Sequence, residues 1–228
     1  MVNAASTNAA DNRRAAARAA ERRLILSYAP SPAHGGLSAL LALDDTLAAV
    51  PVATSEPMLA QMRYSWWHDA LGKLDDAPAP AQPVLRALEA EILPVGIPGA
   101  TLARIVEGWE ALIEEADDDD ARRAGHALRG ETLFVAAGKV LGTADARLAQ
   151  AGRAWALADL ALRDGEGREA ALYHLEAALK PRWSPRLRSL GALLHQAHMD
   201  LRADPALPPP AATPQRIVRL GWHRLTGR

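Results

Sequence analysis

The chain has 228 residues, of which 49% are hydrophobic, and this is enough to form the interior of one helical domain. Its formal net charge of -1 provides no overall positive field, which argues against a protein that binds nucleic acid by neutralising phosphates. It has no cysteine, so disulfides, cysteine-bound zinc and thiol nucleophiles are excluded.

The chain is predicted to fold as a series of helices. Residues 1–11 are small and polar and predict a disordered N-terminus. Beyond them, apolar residues recur at helical intervals, and prolines and glycines mark the helix ends. No segment resembles a β-strand, so the predicted fold class is all-α. The predicted helices cover residues 12–28, 36–50, 55–71, 84–93, 100–116, 121–141, 144–164, 169–179, 185–202 and 215–225.

The domain organisation follows from these helices. We expect one helical domain over residues 12–204, followed by a proline-rich tether and a basic amphipathic helix over residues 205–228. No stretch has about 20 uninterrupted apolar residues, so no membrane-spanning helix is predicted. An amphipathic terminal helix needs no spanning segment to lie on a membrane surface.

The helix predicted at 55–71 has the most distinctive pattern. Ser55, followed by Glu and Pro, is a helix-start signal. On one face of this predicted helix Arg63 lies beside Trp67, and its charge among apolar side chains requires a partner or an anion. An amphipathic core helix with a snorkelling arginine and a ligand-facing helix both remain open. Large apolar and small residues recur behind the start at four-residue intervals: Met58, Met62, Trp66 and Ala70.

Clustered acids and histidines are candidate metal ligands. Asp44 and Asp45 interrupt an otherwise apolar helix. Such an acid pair either binds a cation or marks a point where the helix surface is exposed to solvent. The four consecutive acids at 117–120 point in different directions and favour a solvated turn over a calcium site. His195 and His198 are three apart on one helix and could contact a cation, although surface or interface histidines are the plainer interpretation.

Read in order, several segments resemble the squalene/phytoene synthase family. RRLILSYAPSPAHGGLSALLAL resembles the opening helix pair of that family, EPMLAQMRYSWWHDAL its Trp-containing helix, and GRAWALADLALRD the helix of its second acidic motif. The form SEPMLxQMRxxWW is most similar to the short proteobacterial branch and to its mitochondrial relative, a respiratory complex I assembly factor. The resemblance implies a single-domain helical bundle of the isoprenoid (terpenoid) synthase type around a central cavity.

The resemblance also implies a set of site residues. The family joins two isoprenyl diphosphates head to head, with Mg²⁺ held between two aspartate clusters and arginines on the diphosphate. An active protein would bind Mg²⁺ through Asp44, Asp45 and Asp164. It would bind diphosphate through Arg63 and Arg163. The residues implied to line the cavity are Leu43, Met62, Trp66 and Trp67.

This sequence departs from the aspartate clusters of the family. The closing acid of the first cluster would fall at Ala48 or Ala49. In the second cluster, Leu160 and Arg168 stand where the family has Asn and Asp. Asp159 is a possible replacement, but it lies five residues before Asp164 and therefore off the same helix face. Productive ionisation of a diphosphate by such a reduced site is not expected.

Three functional hypotheses follow. The leading one is a non-catalytic or weakly active isoprenoid-binding or assembly factor, a pseudoenzyme that needs no metal. The alternative is an active, Mg²⁺-dependent head-to-head prenyl diphosphate synthase that uses farnesyl or geranylgeranyl diphosphate. The third is a helical interaction module without a ligand cavity.

The expected partners follow from these hypotheses. They are an isoprenyl diphosphate or another lipid, a membrane surface, or respiratory-complex subunits, and no nucleic acid. The expected location is the cytoplasm, with peripheral contact at the inner membrane left open.

Overall fold

The computed structural model describes residues 2–53, 56–114 and 118–228, and in these ranges the regular structure is entirely helical. The all-α prediction is confirmed. Short 3₁₀ turns at Ser31–Ala33, Leu93–Val95 and Pro185–Leu187 join some of the helices. The helices are α1 (Val2–Leu26), α2 (His34–Ala48), α3 (Pro57–Gly72), α4 (Pro83–Glu91), α5 (Gly99–Glu114), α6 (Asp119–Val140), α7 (Arg147–Asp164), α8 (Arg168–Leu179), α9 (Arg188–Leu201) and α10 (Pro214–Thr226).

Several helix starts differ from those predicted. Helix α1 begins at Val2 rather than at residue 12, because this stretch is rich in alanine, the strongest helix former. Ser55, the predicted cap of α3, lies outside the described residues; Glu56 precedes the helix in an extended conformation. Of the predicted turn at 117–120, Asp117 is also outside the described residues. Asp118 caps α6 by accepting hydrogen bonds from the backbone N–H groups of residues 120 and 121, both at 3.0 Å.

The helices pack in a connected series around α6. Helix α6 lies along α5 on one side and α7 on the other; α3 packs on α5, α4 on α2, and α8 and α9 on α7. Helices α6 and α7 approach closely because Gly130 and Gly152 face each other, and a Cβ on either would overlap the carbonyl oxygen of the other. Glycine in these helices therefore permits close packing.

The C-terminal helix packs against the rest of the chain. Helix α10 lies on α9, with Leu220 and His223 fully buried. The guanidinium of Arg216 on α10 pairs with Glu21 of α1 at 2.8 and 3.0 Å. Among the described helices, none combines the length and the apolar composition that crossing a bilayer requires.

Candidate functional site

A fully buried arginine lies where α2, α6 and α7 meet. Arg129 of α6 is 1% exposed, and its Nε and Nη2 donate to the two carboxylate oxygens of Asp44 on α2 at 2.6 and 2.8 Å. Trp109 of α5 donates its indole N–H to the same carboxylate at 3.0 Å. Both oxygens of Asp44 are thus occupied by protein donors, which is the strong bidentate geometry of an arginine–carboxylate pair.

The same guanidinium reaches a second acid. Nη1 of Arg129 donates to Oδ2 of Asp159 on α7 at 3.1 Å, and Arg163, one turn further along α7, donates its Nε to that oxygen at 3.1 Å. His126 places its Nε2 3.1 Å from the same oxygen. We call these five residues, Arg129, Asp44, Asp159, Arg163 and His126, the Arg129 cluster.

Two indole rings stack on the guanidinium groups of the cluster. The Arg129 guanidinium carbon lies 4.1 Å from the centre of the Trp109 ring and 5.0 Å from that of Trp155. The Arg163 guanidinium carbon lies 4.7 Å from the Trp109 ring. Arginine suits such a site because its planar charge is weakly hydrated and stacks on aromatic faces.

Opposite charges keep Arg129 and Asp159 ionised despite burial. Burial opposes the charge of Arg129, but Asp44 and Asp159 raise its pKa above the ordinary value. Burial would raise the pKa of Asp159, but the hydrogen bond from His126 and the charges of Arg129 and Arg163 hold that pKa well below its usual range. Burial and the neighbouring Arg129 lower the pKa of His126, so its ring is neutral at pH 7.

The three acids predicted to bind Mg²⁺ are held by three different arginines. Asp44 is held by Arg129, whereas Asp45, with a side chain 64% exposed, pairs with Arg22 of α1 at 3.3 Å. The third pair joins Asp164 to Arg122 of α6 at 2.9 Å. Over residues 2–53, 56–114 and 118–228, no group of three or more histidines and acids is arranged to hold a metal ion. The structure therefore pairs each of the three acids with an arginine and does not bring the three together.

The two predicted diphosphate-binding arginines lie in different environments. Arg163 belongs to the Arg129 cluster, where its Nε is committed to Asp159. Arg63 is exposed on α3 and forms no ion pair with any residue of the described ranges. The structure therefore brings Arg163, but not Arg63, to the Arg129 cluster.

The four residues predicted to line one cavity face different ways. Leu43 and Trp67 are buried in the core, at 0% and 6% exposure, while Met62 and Trp66 are 63% and 47% exposed. Helix α3 turns one face inward, so the four-residue row of Met62 and Trp66 falls on its outer face. None of the four lines either of the two cavities described next.

The larger cavity lies between α6, α7 and α8 and has a volume of about 710 Å³. Its wall includes small and branched apolar side chains, and ionic groups, including the Arg122–Asp164 pair, also line it. Leu160 is part of the apolar wall. The apolar lining residues are Ala124, Ala127, Ala146, Ala149, Ala154, Leu157, Leu160, Ala161, Ala170 and Ala171.

The smaller cavity has a volume of about 180 Å³ and touches the Arg129 cluster at Asp159. Arg18 and Arg22 of α1 and Asp200 of α9 contribute its other charged groups. Because these charges are of both signs, the cavity is polar and nearly balanced in charge. It is lined by Asp159 but not by Asp44.

Sequence reasoning missed the centre of the site. It named Asp44, Asp159 and Arg163 separately as candidates, but it named neither Arg129 nor His126, nor Trp109, which donates to Asp44. Arg129 lies in the run HALRGETLF, where nothing local distinguishes it from a surface arginine. The only available signal was indirect, because two acids on apolar helix faces require a buried cation.

No family model, curated protein or solved structure matches this chain. The resemblance to the squalene/phytoene synthase family therefore stays a prediction, and the function is argued from the site.

Proposed function

We propose that this chain is a non-catalytic protein of the squalene/phytoene synthase type that binds an isoprenoid or a related lipid. The observation that carries the proposal is the Arg129 guanidinium, which pairs with Asp44 on α2 and Asp159 on α7. In the metal-dependent reaction, Mg²⁺ between acids on facing helices withdraws charge from the departing diphosphate. A covalently attached guanidinium neutralises the acids but offers no open coordination position.

Replacing the metal by a guanidinium removes the Lewis acid and keeps the helices together. The bidentate pair and the two stacked indoles hold α2, α5, α6 and α7 at one point. This is the arrangement expected when a fold is retained after its original chemistry is lost. The respiratory-complex partners implied by the resemblance remain a prediction.

The binding part of the proposal is supported by the larger cavity. Its volume of about 710 Å³ lies within the range of roughly 300–1,000 Å³ that is usual for small-molecule sites. An apolar wall with ionic groups beside it suits an amphiphile that has a hydrocarbon chain and a polar head. The cations that line the cavity are Arg122, Arg123 and Arg153, and an anionic head would share them with the acids they already pair with.

Two measurements test this proposal. The purified chain is incubated with farnesyl or geranylgeranyl diphosphate and Mg²⁺, and we expect no C30 or C40 product. Binding of farnesyl diphosphate is then measured calorimetrically without Mg²⁺. Ala124→Trp, which fills the cavity from an exposed position of α6, should weaken binding at least tenfold, whereas Ala90→Trp, on the exposed face of α4, should not.

The outcomes separate the two parts of the proposal. Robust formation of a head-to-head product would show an active synthase and refute the non-catalytic assignment. Absence of binding, or equal affinity of both tryptophan variants and the unchanged chain, would refute the assignment of the ligand to this cavity.

A further inference from the structure

Helix α10 has two faces, and its inner face is fully committed. Leu220 and His223 are buried, and Arg216 pairs with Glu21 and, at 2.8 Å, with Asp200 of α9. These contacts fix the rotation of the helix about its own axis. The side of α10 that points away from the protein is therefore determined.

That outer face is apolar. Val218, Trp222 and Leu225 are 72%, 57% and 74% exposed. At about 100° per residue, their spacing of four and three aligns them in one row, opposite the buried residues Leu220 and His223. A helix on the surface of a globular protein normally presents polar side chains at these positions. The reversed pattern indicates that this row contacts an apolar phase.

The row is flanked by positive charge. Arg219, whose Nη2 also contacts the His195 ring, lies on one side of it, and Arg224, which also donates to the carbonyl oxygen of Ser27, lies on the other; residues 214–228 contain no Asp or Glu. Arg182 and Arg188 lie against the end of α10, where they donate to the carbonyl oxygens of residues 226 and 224. Since the chain as a whole has a net charge of -1, this positive charge is a local feature.

We propose that the outer face of α10 docks on an anionic membrane surface. A convex apolar row with arginines on both sides fits a planar, negatively charged interface, in which the apolar side chains enter the headgroup region and the arginines contact lipid phosphates. Trp222 suits this boundary because indole favours the interface between water and hydrocarbon. This site is separate from the α6–α7–α8 cavity and does not depend on the function proposed for it.

Cosedimentation of the full chain with vesicles tests this site. We expect binding to vesicles of phosphatidylcholine and phosphatidylglycerol in a two-to-one ratio, at least tenfold weaker binding to phosphatidylcholine alone, and release by added salt. The triple variant Val218→Ser, Trp222→Ser and Leu225→Ser should lose at least tenfold in affinity. Tyr173→Ser removes a side chain that is 73% exposed on α8 and should leave vesicle binding unchanged.

Because the three substituted side chains are exposed, the triple variant should keep the circular dichroism spectrum and unfolding midpoint of the unchanged chain. Failure of the unchanged chain to bind the anionic vesicles would overturn the proposal, as would equal binding by the triple variant. Light scattering that shows a dimer, lost in the triple variant, would instead assign the face to a second copy of this chain and would also overturn it.

Discussion

Replacing Arg129 by methionine should strongly destabilise the protein. The substitution keeps a long apolar side chain between Trp109 and Trp155 but removes the donors at 2.6 and 2.8 Å from Asp44, a residue only 4% exposed. Leaving one charge of a buried pair without its partner costs about 3–5 kcal/mol. For a domain of this size, that loss lowers the unfolding midpoint by roughly 6–20 °C.

The assay is urea unfolding followed by circular dichroism and tryptophan fluorescence, with a double-mutant cycle as the control. Asp44→Leu combined with Arg129→Met leaves no unpaired charge at the Asp44 position, so the double variant should be more stable than the sum of the two single losses by about 2–3 kcal/mol. Additive losses, or a loss below about 1 kcal/mol for Arg129→Met alone, would refute the reasoning that this pair is buried and coupled.

Two further predictions concern helix packing and pH. Gly130→Ala should lower the free energy of unfolding by several kcal/mol, because its Cβ would overlap the carbonyl of Gly152. Gly221→Ala, with open space around it, should raise that free energy by about 0.5–1 kcal/mol. Equal effects of the two variants in urea unfolding would contradict the close approach of α6 and α7. Burial lowers the pKa of His195 to about 2 and that of His223 to about 4, so the unfolded chain binds more protons below pH 6.5. The free energy of unfolding should therefore fall as the pH drops from 6.5 towards 4. His223→Gln should reduce the slope of that free energy against pH by about 1.4 kcal/mol per pH unit near pH 5. An unchanged slope would contradict the lowered pKa of His223.

The helices could be predicted because their signals are local. Prolines and glycines end most of them near the predicted positions, as Gly165 does after α7, where it adopts a left-handed conformation. The start of α1 was missed because a small, polar composition was given more weight than the helix propensity of its alanines. Both kinds of evidence are contained within a few residues of the helix end.

The candidate site could be predicted only in part. Asp44 was recognised because an acid on an apolar helix face needs a partner, but that argument leaves the identity of the partner open. Asp159 was correctly placed on a different face from Asp164, and the structure gives them separate partners, Arg129 and Arg122. Met62 and Trp67 were predicted to face one cavity, but Met62 is exposed and Trp67 is buried, because the side of α3 that faces inward depends on α5, which packs against it.

The sequence by itself determined the helical class, most of the helix boundaries and the presence of acids that require compensation, because helix propensity, capping and periodicity act over a few residues. Only the tertiary structure decided that Arg129, 85 positions away from Asp44 in sequence, supplies that compensation and that α10 turns an apolar row outward. Contacts at such separations depend on how the helices pack against one another, and no local property of either segment encodes them.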